Sequence, residues 1–131
     1  MRIFASLAAM LAVAAAWWAL GRPVQLPAAP LAAGERVHCV SYAPFEGSQS
    51  PFDPGLVIGR EQIARQLAAL KPVSDCVRTY SVGQGLDAVP AVAEDLGMTV
   101  LLGIWIGRDR AANRLEIERA IELAARHPAS V

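Results

Sequence analysis

Two cysteines, Cys39 and Cys76, in a chain of 131 residues are too few for a disulfide framework, and neither sits in the paired spacing of a zinc site. Net charge is missing as well. Twelve Lys and Arg balance twelve Asp and Glu, which removes the electrostatic case for a nucleic-acid partner. Charged residues amount to only 18% against 54% apolar ones, a composition that excludes intrinsic disorder. The Gly-x-Gly at Gly83-Gln84-Gly85 has no Lys-Ser/Thr behind it and so makes a poor phosphate loop. No cofactor and no metal is expected.

What is abundant is apolarity at the N-terminus. Ile3 to Leu20 holds seventeen apolar residues out of eighteen, behind Arg2 and ending in Trp17-Trp18. A secretory h-region runs roughly 7–15 residues and a spanning helix about 20, so this run falls between the two. The Trp pair and Arg22 suit an interface and favour a transmembrane signal anchor over residues 1–21, while small residues at Ala28-Ala29 and Ala32-Ala33 leave cleavage open. Either case sends the rest to the periplasmic or extracellular side, membrane-anchored or secreted. Residues 22–34, with three prolines, read as a linker. The folded part, 35–131, carries ten basic and twelve acidic side chains and suits a neutral ligand.

Three runs rich in β-branched and aromatic residues read as strands: Val37–Tyr42, Cys76–Ser81 and Thr99–Ile106. Helical patterns follow each. Arg60–Lys71 places Ile63, Leu67 and Leu70 on one face, and Asp87–Leu96 is closed by Gly97. A third helix carries Ile117, Ala120, Ile121 and Ala124 at helical spacing, with an Asn113…Glu116 capping pair, and Pro128 beyond its end. Glu116, Glu118 and Glu122 read as its solvated face.

The order β-α-β-α-β-α predicts a parallel sheet with right-handed crossovers, doubly wound or barrel. The third strand favours the barrel, because one face carries Val100, Leu102, Ile104 and Ile106 for a covering helix and the other holds Gly103 in a crowded lumen. A barrel needs eight such units, so the expected fold class is α/β, the N-terminal three βα units of a (β/α)8 TIM barrel, preceded by a hydrophobic helix and truncated before strand 4. Alternation puts Cys76, Arg78 and Tyr80 on one face. An inward Arg78 needs an anion, and none of the three runs contains Asp or Glu.

Taken together, VSYAPF at Val40–Phe45, QSPFDPG at Gln49–Gly55, VRTYS at Val77–Ser81, GLDAVP at Gly85–Pro90 and LLGIW at Leu101–Trp105 resemble glycoside hydrolase family 17, bacterial branch. The resemblance covers the chain from Val37 onward. It implies a β-1,3-glucan hydrolase or transglycosylase acting with retention, through one Glu after strand 4 and another after strand 7, both beyond Val131. Tyr42 matches the family's aromatic at the end of strand 1, Arg78 and Tyr80 its Arg-x-Tyr signature, and Trp105 a residue able to stack a glucose ring. These four are the expected substrate-binding residues, with β-glucan the partner and the membrane a second one if the signal stays uncleaved.

Rival readings accompany each residue. Aromatic side chains at strand ends also serve as core, and Phe45, Phe52 and Asp53 read equally as loop anchors. His38 reads as a hydrogen-bonded barrel residue and His127 as a helix cap. Oxidising surroundings would permit a Cys39–Cys76 bridge, but if Tyr42 and Tyr80 both face the lumen, Cys39 points outward and Cys76 inward, so parity opposes it. The second function class is a non-catalytic exported module that binds glucan or a partner. The 131-residue chain is expected to lack the catalytic Glu pair and activity, and to expose an unpaired sheet edge.

Overall fold

The computed structural model describes residues 2–25, 32 and 34–131. The chain divides into two compact units, Met1–Pro30 and Leu31–Val131. The expected linker over 22–34 falls in part on 26–31 and 33, outside the described residues.

The first unit is one helix, α1 (Arg2–Leu20). Its apolar residues, among them Phe4, Leu11, Trp17 and Trp18, are exposed around the helix, and the Arg22 guanidinium lies 4.0 Å from the Trp18 ring centroid. Among the described residues no helix is long and apolar enough to cross a membrane, so the structure lends no support to the expected transmembrane anchor and membrane partner.

The second unit follows the expected order. β1 (Val40–Ser41), α2 (Arg60–Leu70), β2 (Cys76–Arg78), a 3₁₀ turn (Leu86–Ala88), α3 (Val89–Asp95), β3 (Thr99–Leu101) and α4 (Arg110–Arg126) succeed one another. The strands pair in parallel in the order β1-β2-β3, with Val40 opposite Val77, Ser41 opposite Arg78, and Val77 opposite Val100. They are shorter than the apolar runs, although Tyr42 N–H to Arg78 O (2.8 Å) and Thr79 N–H to Leu101 O (3.2 Å) carry the bonding further.

Helices cover one face of this sheet. Val77 and Val100 are buried with Ile63 and Leu67 of α2 and Val89, Val92 and Ala93 of α3, whereas Arg78 and Leu101 on the opposite face are exposed. Sequential strand order with helices on a single face is consistent with part of a barrel. Three parallel strands do not set the number of units.

Local signals explain most boundaries. Ile63 and Leu67, four apart, are fully buried, as the periodicity of α2 predicts. α3 ends at Gly97, which adopts φ +61°, while Gly97 N–H donates to Glu94 O and Met98 N–H to Ala93 O, a Schellman ending. α4 departs from expectation. Its cap is Asp109, whose carboxylate accepts from the Ala111 and Ala112 N–H groups, rather than Asn113. It buries Leu123, and leaves Ile117 and Ile121 at 41% and 64% exposure.

The outer edge of β3 is partly covered. Val100 N–H donates to Ser130 O at 2.6 Å, and the buried Ser130 hydroxyl donates to Pro90 O. His127, at the end of α4, pairs through Nδ1 with Glu94 at 2.9 Å. His38 lies exposed ahead of β1 rather than inside the sheet.

A disulfide joins Cys39 to Cys76, with Cα atoms 4.4 Å apart. The parity argument against it fails at strand 1. Because Val40 sits opposite Val77, Cys39 sits opposite Cys76, and residues paired across parallel strands share a face. The bridge therefore lies on the same side as Ser41 and Arg78.

Candidate functional site

The open sheet face carries the residues with chemical potential. Arg78 ends β2, and two residues on Tyr80 emerges on the same side, both exposed. The Arg78 guanidinium lies 4.7 Å from the Tyr80 ring centroid. A cation held over an aromatic face is oriented without being neutralised, so its N–H donors stay available to an incoming oxygen. No ion pair to Arg78 occurs among the described residues.

Trp105 follows β3 at 65% exposure. Its backbone is fixed from α4: the Trp105 N–H donates to Glu116 Oε1 at 3.1 Å, and the same oxygen accepts from Val82 N–H at 2.9 Å. Glu116 is thus half-buried and engaged, which corrects its assignment to a solvated face. Asn113, one turn earlier, exchanges two hydrogen bonds with the Gly107 backbone. The spacing read as a capping pair serves the loop after β3 instead.

Tyr42 stands apart from these three, against the expectation that it meets substrate. It is 5% exposed, within the core, and its hydroxyl donates to Gln66 Oε1 of α2 at 2.6 Å. The register is the cause: with Ser41 opposite Arg78, the next residue turns to the helix-covered face. Burial, then the nearby Glu46 carboxylate, pushes the Tyr42 phenol well above the usual tyrosine range.

The loops at this end are stitched together. Gln84, at φ +53°, donates through Nε2 to Asp53 O at 2.7 Å and accepts through its carbonyl from Ile58 N–H at 2.8 Å. Gly85 must be glycine, since a Cβ there would lie 2.3 Å from Ile58 O. Gly83-Gln84-Gly85 is therefore a clasp between the loops after β1 and β2, not a phosphate loop. Phe45 packs against the core, while Phe52 is 90% exposed and anchors nothing.

Sequence reasoning missed Glu116 and Gln84. Glu116 left a signal in its i,i+3 relation to Asn113, and Gln84 in its flanking glycines. A shallow groove of about 300 Å³ runs along α4 beside Arg110, Asn113 and Ile117, and none of the four expected residues lines it.

No family model matches the chain, and no curated protein matches it. Among solved structures, the chain is similar to an active-site mutant of Rhizomucor miehei β-1,3-glucanosyltransferase in complex with laminaritriose, with TM-score 0.55 and 20% identity. The match covers 71% of this chain and 32% of that one, so this chain spans about a third of the neighbour's length. At that identity the likeness is one of fold: a mixed α/β unit with a three-stranded parallel sheet, consistent with part of a (β/α) barrel.

Proposed function

We propose that the chain is the N-terminal part of a glycoside hydrolase of the family 17 type, acting on β-1,3-glucan by retaining hydrolysis or transglycosylation. The observation that carries this reading is the exposed Arg78–Tyr80 pair on the open sheet face, where the resemblance places a substrate-side Arg-x-Tyr. The neighbour's bound laminaritriose agrees with the substrate class. Arg78, Tyr80 and Trp105 are the sugar contacts in this reading, and Tyr42 has a structural role.

Retention requires two carboxyls about 5–5.5 Å apart, one protonating the leaving oxygen and one forming the glycosyl-enzyme. The family's pair follows strands 4 and 7, outside this three-stranded sheet. The 131-residue chain then binds glucan without cleaving it. Two features together support an oxidising compartment outside the cytoplasm, the apolar export segment and the Cys39–Cys76 bridge.

Calorimetry with laminaritriose tests this. Saturable binding is expected, weakened at least fivefold in Arg78→Ala, Tyr80→Ala and Trp105→Ala, with the oligosaccharide recovered intact. Absence of binding, or three variants equal to wild type, would sink the reading. Binding by a longer product of the same gene that also leaves the oligosaccharide uncleaved would favour the non-catalytic module.

A further inference from the structure

We infer that Glu116 is a positioning residue for sugar binding, setting from α4 the place of Trp105 and of the loop after β2. This rests on the glucan reading above. The backbone N–H groups of Val82 and Trp105 belong to loops that follow different strands, and one carboxylate oxygen receives both, at 2.9 and 3.1 Å. A carboxylate binds N–H donors more strongly than a neutral oxygen does, so this single contact couples the two loops.

Three details make the contact specific. Val82 is fully buried, so its chain position is already held by packing and serves as the fixed end of the tie. Trp105 lies beyond the last paired residue of β3, Leu101, and its indole is largely exposed, so packing alone leaves it loosely placed. Asn113 fixes Gly107 from the same helix, so the segment bearing Trp105 is held at two points by α4. A ring that stacks on a sugar gains affinity when its frame is rigid before binding, because less motion is lost on association.

The side-chain length matters as much as the charge. Aspartate is one methylene shorter and cannot reach both amides, whereas glutamine keeps an acceptor oxygen at the same distance. The test uses the 131-residue chain with Trp17→Phe and Trp18→Phe, which leaves Trp105 the only tryptophan. The readouts are hydrogen exchange at the Val82 and Trp105 amides, Trp105 fluorescence anisotropy, and laminaritriose affinity. Glu116→Ala and Glu116→Asp are expected to lose protection at both amides, lower the anisotropy and weaken laminaritriose about tenfold, while Glu116→Gln, which keeps the reach and loses only the charge, falls between them and wild type. Glu116→Asp keeps the assignment testable should the alanine variant fail to fold. Wild-type affinity and protection in Glu116→Asp would overturn the assignment alone. A wild-type chain that binds no laminaritriose would overturn the glucan reading and this role with it.

Discussion

Gly103 shows how a single atom fixes the approach of two strands. Its N–H donates to Thr79 Oγ1 at 2.9 Å, and a Cβ would lie 2.1 Å from Thr79 O, a backbone atom that cannot swing away. Close contact with β2, rather than lumen crowding, therefore demands glycine. Gly103→Ala is expected to cost about 2–3 kcal/mol, read from chemical denaturation, through the backbone shift it forces. Tyr42 has the opposite character, a polar tip carried into the core. Its raised phenol pKa means that the unfolded chain ionises first as pH rises, so stability present below about pH 10 is lost above it. Tyr42→Phe should lose about 1 kcal/mol at neutral pH, where Gln66 loses its donor, yet decline less steeply in alkali. Stability measured from pH 8 to 12 checks both limbs.

At the scale of elements, short strands are held by what lies at their ends. β1 pairs through two residues only, and the Cys39–Cys76 bridge ties it to β2 immediately before that ladder begins. Below it, Asp75 gathers Arg36 at 2.8 Å and Lys71 at 3.0 Å, and the Lys71 hydrogen bond leads in holding its carboxyl below the usual range. The bridge closes a loop with a sequence separation of 37. Chain entropy then assigns it about 3–4 kcal/mol. Cys39→Ser/Cys76→Ser should lower stability by that order in urea denaturation. Thiol titration of the denatured, unreduced chain should find no free cysteine.

Over the whole second unit, one sheet face is covered and the other is open. α2 and α3 bury Val77 and Val100, while Arg78, Tyr80 and Leu101 remain in solvent. A barrel resolves this asymmetry by closing, which turns the open face into a lumen whose rim binds ligands. The exposed Ile117 and Ile121 of α4 belong to the same pattern, an apolar stripe without a neighbour among the described residues. Under the proposed function, glucan binding measured on this chain would report the wall formed by three strands, and the loss expected in Arg78→Ala and Trp105→Ala would be the loss of contacts on that wall.

Patterns confined to a few neighbouring residues are legible in the amino-acid sequence alone. The Ile63–Leu67 face of α2, the stop at Gly97, the three strand runs and the shared side of Arg78 and Tyr80 all follow from local periodicity, because helix and strand geometry repeat every few residues. The facing of Tyr42 does not follow. Alternation carries no absolute phase, and the phase of β1 comes from its register against β2, residues distant in sequence. The same reason hides the disulfide, since Cys39 and Cys76 meet only once Val40 is set opposite Val77. The buried face of α4 also depends on how the helix rotates onto the sheet, which Ile117 and Ile121 suggest one way and Leu123 settles another. Glu116 becomes a tie between two loops through that rotation, which places one carboxylate within reach of two amides brought together from different strands.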